Sequence, residues 1–278
     1  MALFDNALSE LANRTFLDPK PFSSYAKQAG FSNAKTADNI SIQSLRGLAP
    51  ELRQAGVMVF RLGSGPGGKG TNFALARHTG SWDDYFLQDE SIFEQCPNIS
   101  VLGCLEDIRI FEILPKSTET SLVNLAVNSG VLRVALDLDA TDDAIVNATA
   151  QGTYTFTVRP HQYLNACWHH LAGQVEIDGA FVAYRGGIET LFVVEAKVSN
   201  AFDSLSKYKI AYPMLALMPK LPKSMPVIGV YLRVIRGTSG FDFCVAECVF
   251  SSASQEIASL TPVRTGRYRL ESTRTLNP

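Results

Sequence analysis

Asp178, Glu195 and Lys197 are the residues of this chain whose types and spacing suit chemistry on a phosphodiester bond. The segment from Gln174 to Val198 reads as two strands joined through Arg185-Gly186-Gly187-Ile188, and the Gly-Gly pair suits a two-residue turn of the primed type. With Arg185 facing Ile188, Asp178 falls opposite Glu195 and Glu176 opposite Lys197. Period-two alternation then projects all four from one face. Opposed carboxylates repel across a strand pair, and a divalent cation would remove that cost. Mg²⁺ accepts one or two carboxylates and keeps positions for water and phosphate. Asp178 and Glu195 are therefore the expected metal ligands, with the Ala196 carbonyl as a third. Lys197 is placed to orient or deprotonate water and to neutralise charge on the phosphate. Glu176, Lys207 and Lys209 are accessory candidates. A plainer alternative is a cross-strand Glu176–Lys197 salt bridge, with Asp178 and Glu195 merely solvated at a sheet edge.

The elements that must hold these residues are legible in outline. From Thr153 onward the pattern predicts a strand to Val158, then a helix entered at Pro160 and stopped by Gly173. The two strands of the hairpin follow, Val175–Tyr184 and Glu189–Val198. A helix over about Phe202 to Met218, kinked at Pro213, leads to strands Val227–Arg233 and Phe241–Phe250. Upstream, a helix over Ser41–Gln54 precedes strands Val57–Leu62 and Thr71–Arg77, an order that suits the end of a winged helix. Val131–Leu138 reads as a strand, and the acidic run Asp137–Asp143 as a surface connection. The expected fold class is α/β, a mixed sheet flanked by helices, with an α+β N-terminal part. Residues 1–152 are expected to serve recognition or dimerisation and residues 153–278 to carry the chemistry.

Asp178 followed by Val193-Val194-Glu195-Ala196-Lys197 resembles the PD-(D/E)XK nuclease superfamily, the fold of most type II restriction endonucleases. The resemblance covers roughly Thr153 to Phe250. It implies a restriction-endonuclease-like fold with the Asp and the Glu-x-Lys on adjacent antiparallel strands, followed by a helix packed back on the sheet. It also implies Mg²⁺, a double-stranded DNA substrate cut at specific sequences, and catalytic roles for Asp178, Glu195 and Lys197. Many members carry a Glu on the helix before the first core strand. The segment Pro160–Gly173 holds none, so no acidic helper is assigned.

Gly63-Ser64-Gly65-Pro66-Gly67-Gly68-Lys69-Gly70 nearly spells a P-loop, which keeps a nucleotidase in play. Gly70 stands where Ser or Thr should hold Mg²⁺. The same loop, with Arg61, Lys69, Asn72 and Arg77, suits a hairpin laid against DNA. A catalytically dead, DNA-binding nuclease fold is the third reading. The net charge of −2 disfavours indiscriminate coating of nucleic acid. From Lys197 onward 11 basic and 5 acidic residues give +6, and the 14 and 22 before it give −8. A polyanion would thus meet the C-terminal third first. Leu3, Phe4, Leu8 and Leu11 recur at helical spacing, which suits either an interface for the homodimer that a symmetric DNA site would match or a cover for the chain's own core. Five cysteines without a CxxC pair predict reduced thiols. With no signal-like opening and no long apolar run, the expectation is a cytoplasmic protein without a membrane span.

Overall fold

In β8 (Ile188–Ser199), every residue from Thr190 to Ala196 is buried. A strand enclosed on both faces must lie inside a sheet with layers on either side, which is why Leu191-Phe192-Val193-Val194 does not alternate in polarity. The computed structural model, which describes residues 2–64, 70–101, 110–111, 113, 117–140, 144–237 and 240–271, shows that layering. A seven-stranded sheet has the order β5-β12-β11-β10-β8-β7-β6. Its strands are β5 (Asn98–Val101), β6 (Ala148–Val158), β7 (Trp168–Arg185), β8, β10 (Val227–Gly237), β11 (Gly240–Phe250) and β12 (Leu260–Glu271). Only β8–β10 and β5–β12 run parallel. Three strands, β1 (Phe16–Pro21), β2 (Val57–Leu62) and β3 (Asn72–Arg77), form a second sheet in the order β1-β3-β2. The short β4 (Phe86–Gln88) and β9 (Ser204–Ser206) pair with each other.

Leu191 and Val193 pack into one apolar cluster with Ile210 and Met214 of the helix Tyr208–Leu217. That cluster continues through Phe60 and Phe73 to Phe4 and Phe22, so one core crosses residue 152. Phe192, Val194 and Ala196 face the other way, against Leu122, Val123 and Ala126 of the helix Glu119–Asn128. The chain is thus a mixed α/β protein whose large sheet is flanked by helices. β5 and the helix Glu119–Asn128 come from before residue 152 yet belong to this layered unit.

The expected hairpin register is observed from Arg185 opposite Ile188 to Gly179 opposite Val194, but the pairs expected beyond it, Asp178 with Glu195 and Glu176 with Lys197, are not part of the ladder. Gly186 and Gly187 have φ of 58° and 75°, which the primed turn requires and other residues rarely adopt. Four local expectations are corrected. Pro160–Gly173 is a loop followed by the start of β7: Trp168 and His170 turn inward while His169 turns outward, a period of two that the flanking Pro and Gly disguised as helix punctuation. Val131–Leu138 holds the helix Val131–Ala135 instead of a strand, because a short apolar run carries no decisive period. Ser41–Gln54 is broken into the 3-10 turn Leu45–Gly47 and the helix Pro50–Gln54. The helix placed over Phe202–Met218 begins only at Tyr208, after β9. Among the described residues no helix is long and apolar enough to cross a membrane.

Leu3, Phe4 and Leu11 are buried in the protein's own core and not presented as an interface. Their helical spacing reflects the short helix Asp5–Leu11 covering β3 and its neighbours. Four cysteines, Cys96, Cys167, Cys244 and Cys248, are free thiols, and Cys104 lies outside the described residues.

Candidate functional site

The β7–β8 ladder runs from Arg185–Ile188 back to Gly179–Val194 and stops there. One residue further, the Asp178 carboxylate takes over, its Oδ2 accepting the Ala196 N–H at 2.9 Å. This anchors Asp178 against β8 beside Glu195. Glu195 is 3% exposed, an unusual place for a carboxylate on a central strand. Lys197 lies two residues on, on the same face. Its Nζ is 2.9 Å from Glu195 Oε1 and 3.0 Å from Glu119 Oε1. Lys209, in the first turn of the helix Tyr208–Leu217, places its Nζ 3.7 Å from Glu195 Oε1.

Glu119 was not legible as a site residue. It opens the helix Glu119–Asn128, whose N-cap Thr118 accepts the Ser121 N–H, and whose Leu122, Val123 and Ala126 pack under the sheet. Gly179 lets this helix approach, because a Cβ there would stand 2.7 Å from Val123 Cγ1. The sequence signal was a capping Thr followed by Glu and an apolar run of helical period, Thr118-Glu119 through Val127. Glu119 thus lies on a helix earlier in the chain than β6–β8, whereas the segment Pro160–Gly173, expected as the helix before the hairpin, is not a helix.

Burial raises the Glu195 pKa, opposed by the charges of Lys209 and Lys197. Burial works in the opposite sense on Lys197, but Glu195 and then Glu119 outweigh it and hold the ammonium above its ordinary value. Lys197 is thus a firmly charged group in this arrangement. Glu195 Oε1, although within ion-pair range of both lysines, is enclosed without a well-directed hydrogen bond. An under-satisfied, buried carboxylate oxygen is a natural ligand for a hard cation. Asp178, Glu195 and the Ala196 carbonyl are the oxygens that would have to hold such an ion, and Glu119 is a further carboxylate nearby, paired with Lys197. As arranged, the lysines stand between the acids. Among the described residues no group of three or more His, Cys, Asp or Glu side chains is already gathered as a metal cage.

The other expected residues separate. Lys207 is 4% exposed and turned away, donating to the Ala258 carbonyl at 3.1 Å, with its pKa lowered by burial to about 8. It cannot face a phosphate beside Glu195, because it is the residue before the helix and points into the core that Lys209 leaves. Glu176 is exposed and accepts from Gln151 at 3.3 Å, so the plain Glu176–Lys197 salt bridge is not the arrangement observed. Asn72 is buried in β3, and Arg77 donates to the carbonyls of Arg14, Ala55 and Ala12, which ties it to the fold and away from a groove. Lys69 lies outside the described residues. Arg61 does reach the site's neighbourhood, hydrogen-bonding Ser41 Oγ at 3.0 Å. Just after β2 the Ser64 N–H donates to the Leu171 carbonyl at 2.7 Å, and β3 begins at Asn72; residues 65–69 of the glycine-rich loop lie outside the described residues. No helix follows it to present N–H groups to a nucleotide phosphate, as a P-loop needs.

Comparison with curated proteins gives no significant match, and neither does comparison with solved structures. Residues 87–269 match the family model described as Domain of unknown function (DUF6997), a span that holds Glu119, Asp178, Glu195, Lys197 and Lys209 and covers most of the chain, so the chain belongs to that family.

Proposed function

We propose that this protein is a Mg²⁺-dependent DNA endonuclease of the PD-(D/E)XK type, hydrolysing phosphodiester bonds at the end of the β7–β8 hairpin. The observation that carries the reading is the burial of Glu195 on a central strand, two residues before Lys197, beside Asp178 on the neighbouring antiparallel strand. Packing alone would not choose a carboxylate there. The helix Tyr208–Leu217 packs back on the sheet, and Glu119 arrives from the helix before the strands, in keeping with the resemblance noted from sequence.

Asp178 and Glu195 would hold the ion. When bound, Mg²⁺ supplies Lewis-acid polarisation of the phosphate and lowers the pKa of water. Lys197, 2.9 Å from Glu195 and 3.0 Å from Glu119, would serve as an electrostatic partner to a phosphate oxygen or orient the attacking water. Glu119, half-exposed at the rim, is placed to accept a proton from water once Lys197 turns toward the substrate. Recognition of a specific double-stranded sequence and action as a homodimer are part of the proposal through the resemblance, as for type II restriction enzymes.

The test is incubation of the chain with a long supercoiled plasmid in Mg²⁺, in Ca²⁺ and in EDTA. Discrete linear fragments in Mg²⁺ alone are the expected result. Binding of DNA without metal-dependent cutting would instead identify an inactive nuclease fold. Hydrolysis of ATP with the plasmid intact would restore the nucleotidase.

A further inference from the structure

A small cleft, open to solvent, lies where the end of β2, the middle of β7 and the first turns of the helix Tyr208–Leu217 meet. It adjoins the site just described, because Lys209 lines it while its Nζ stands 3.7 Å from Glu195 Oε1. Arg61 enters from the opposite wall. Its guanidinium is held by Ser41 Oγ at 3.0 Å and, loosely, by Gln174 Oε1 at 3.5 Å. No carboxylate pairs with Arg61 among the described residues, although Arg is normally used where a fork of donors can meet an oxyanion. The Tyr208 hydroxyl is enclosed in the same wall, and no acceptor takes its proton. His170 also lines the cleft and is stacked on Phe156 with ring centroids 4.6 Å apart. Burial disfavours protonation of His170, its pKa lowered to about 4, so it adds no positive charge of its own near neutral pH. The single acid of the lining, Glu176, is on the exposed side and already accepts from Gln151.

The two cations of the lining are thus the Arg61 guanidinium and the Lys209 ammonium, and the enclosed Tyr208 hydroxyl adds a donor behind them. We infer that this cleft seats a backbone phosphate of the nucleic-acid strand next to the bond held at Glu195 and Lys197, with Arg61, Lys209 and Tyr208 as its hydrogen-bond donors. The inference rests on the nuclease reading and extends it. It makes Arg61, from the first half of the chain, a phosphate-positioning residue instead of a reader of guanine. Lys209 is then shared between the buried carboxylate and the phosphate. The β2–β3 layer would fix the strand's register from a rigid element, since Tyr212 Oη donates to the Arg61 carbonyl at 3.0 Å and so holds the backbone that carries Arg61.

The experiment is equilibrium binding of fluorescent duplex DNA in Ca²⁺ by the full chain and by Arg61→Gln, Lys209→Gln and Tyr208→Phe, at a series of salt concentrations. Far-UV circular dichroism confirms that each variant is folded. Each lost cation should flatten the slope of log K against log salt by about one. Tyr208→Phe should weaken binding without altering the slope. These effects should be the same for several unrelated duplex sequences. Unchanged slopes in Arg61→Gln and Lys209→Gln, with DNA binding intact in the parent chain, would overturn the phosphate seat and leave the nuclease reading standing. A sequence-dependent loss in Arg61→Gln at constant slope would overturn it in favour of base readout. Failure of the parent chain to bind DNA at all would remove the nuclease reading, and this inference with it.

Discussion

Replacing Asp178 by Asn and by Ala separates its structural duty from its proposed chemical one. Asp178 Oδ2 accepts the N–H of Ala196, a residue with no solvent exposure, at the point where the β7–β8 ladder has stopped. Asp178→Ala leaves that N–H buried without an acceptor, which costs about 1–3 kcal/mol. Asp178→Asn keeps an oxygen in place and should cost under about 1 kcal/mol. The difference should appear as a lower urea midpoint for the Ala variant, with the slope unchanged, when unfolding is followed by circular dichroism in EDTA. Mg²⁺ provides the second axis. For an affinity on the order of 1 mM, about 10 mM Mg²⁺ stabilises the folded parent by about 1.4 kcal/mol, and both variants should lose that gain. Equal destabilisation by Ala and Asn would refute the hydrogen-bond argument. A full Mg²⁺ gain in Asp178→Asn would remove Asp178 from the ligand set, even if both variants failed to cut DNA.

Three other perturbations follow from the buried polar groups. His170 has its pKa depressed to about 4 in the fold against an ordinary 6.5, so below about pH 6.5 the unfolded chain takes up a proton that the folded one refuses. Stability is thus lost as pH falls from about 6.5 to 4, by up to about 3 kcal/mol, and His170→Phe should flatten that part of the pH profile; an unchanged profile would argue against it. Asp89 is fully buried, 2.8 Å from Arg233 Nε and 2.7 Å from the Tyr231 hydroxyl, so Arg233→Met should destabilise by about 3–5 kcal/mol, with a double-mutant cycle to Asp89→Asn showing strong coupling. Lys207→Met, unlike Lys209→Gln, should leave the salt dependence of DNA binding at the parent value, because its ammonium is spent on the Ala258 carbonyl.

The gap between Lys207 and Lys209 shows where sequence reasoning stops. Both were legible as basic residues after a Glu-x-Lys strand, but the helix begins at Tyr208, which turns one lysine to Glu195 and the other into the core. Asn72 and Arg77 were chosen for side chains able to read bases. Their strand is the middle one of the β1-β3-β2 sheet, so Asn72 is buried and the Arg77 guanidinium is taken up by backbone carbonyls of the fold.

What the amino-acid order determined by itself was local: the Gly186-Gly187 turn sets the pairing of β7 with β8 as far as Gly179–Val194, and period two places Glu195 and Lys197 on one side of β8. Strands β2, β10 and β11 were legible for the same reason, since runs of β-branched and aromatic residues between turn residues read without knowledge of neighbours. Pro160 and Gly173 misled, because Gly173 is there for a close approach to Gly63, whose Cα a Cβ would meet at 2.6 Å, and not to end a helix. Tertiary structure alone decided that Glu119, 78 residues before Lys197, joins the site. It also decided that Arg61 and Lys209 line one cleft. Such meetings depend on which helix packs on which face of the sheet, and local periodicity does not encode that choice.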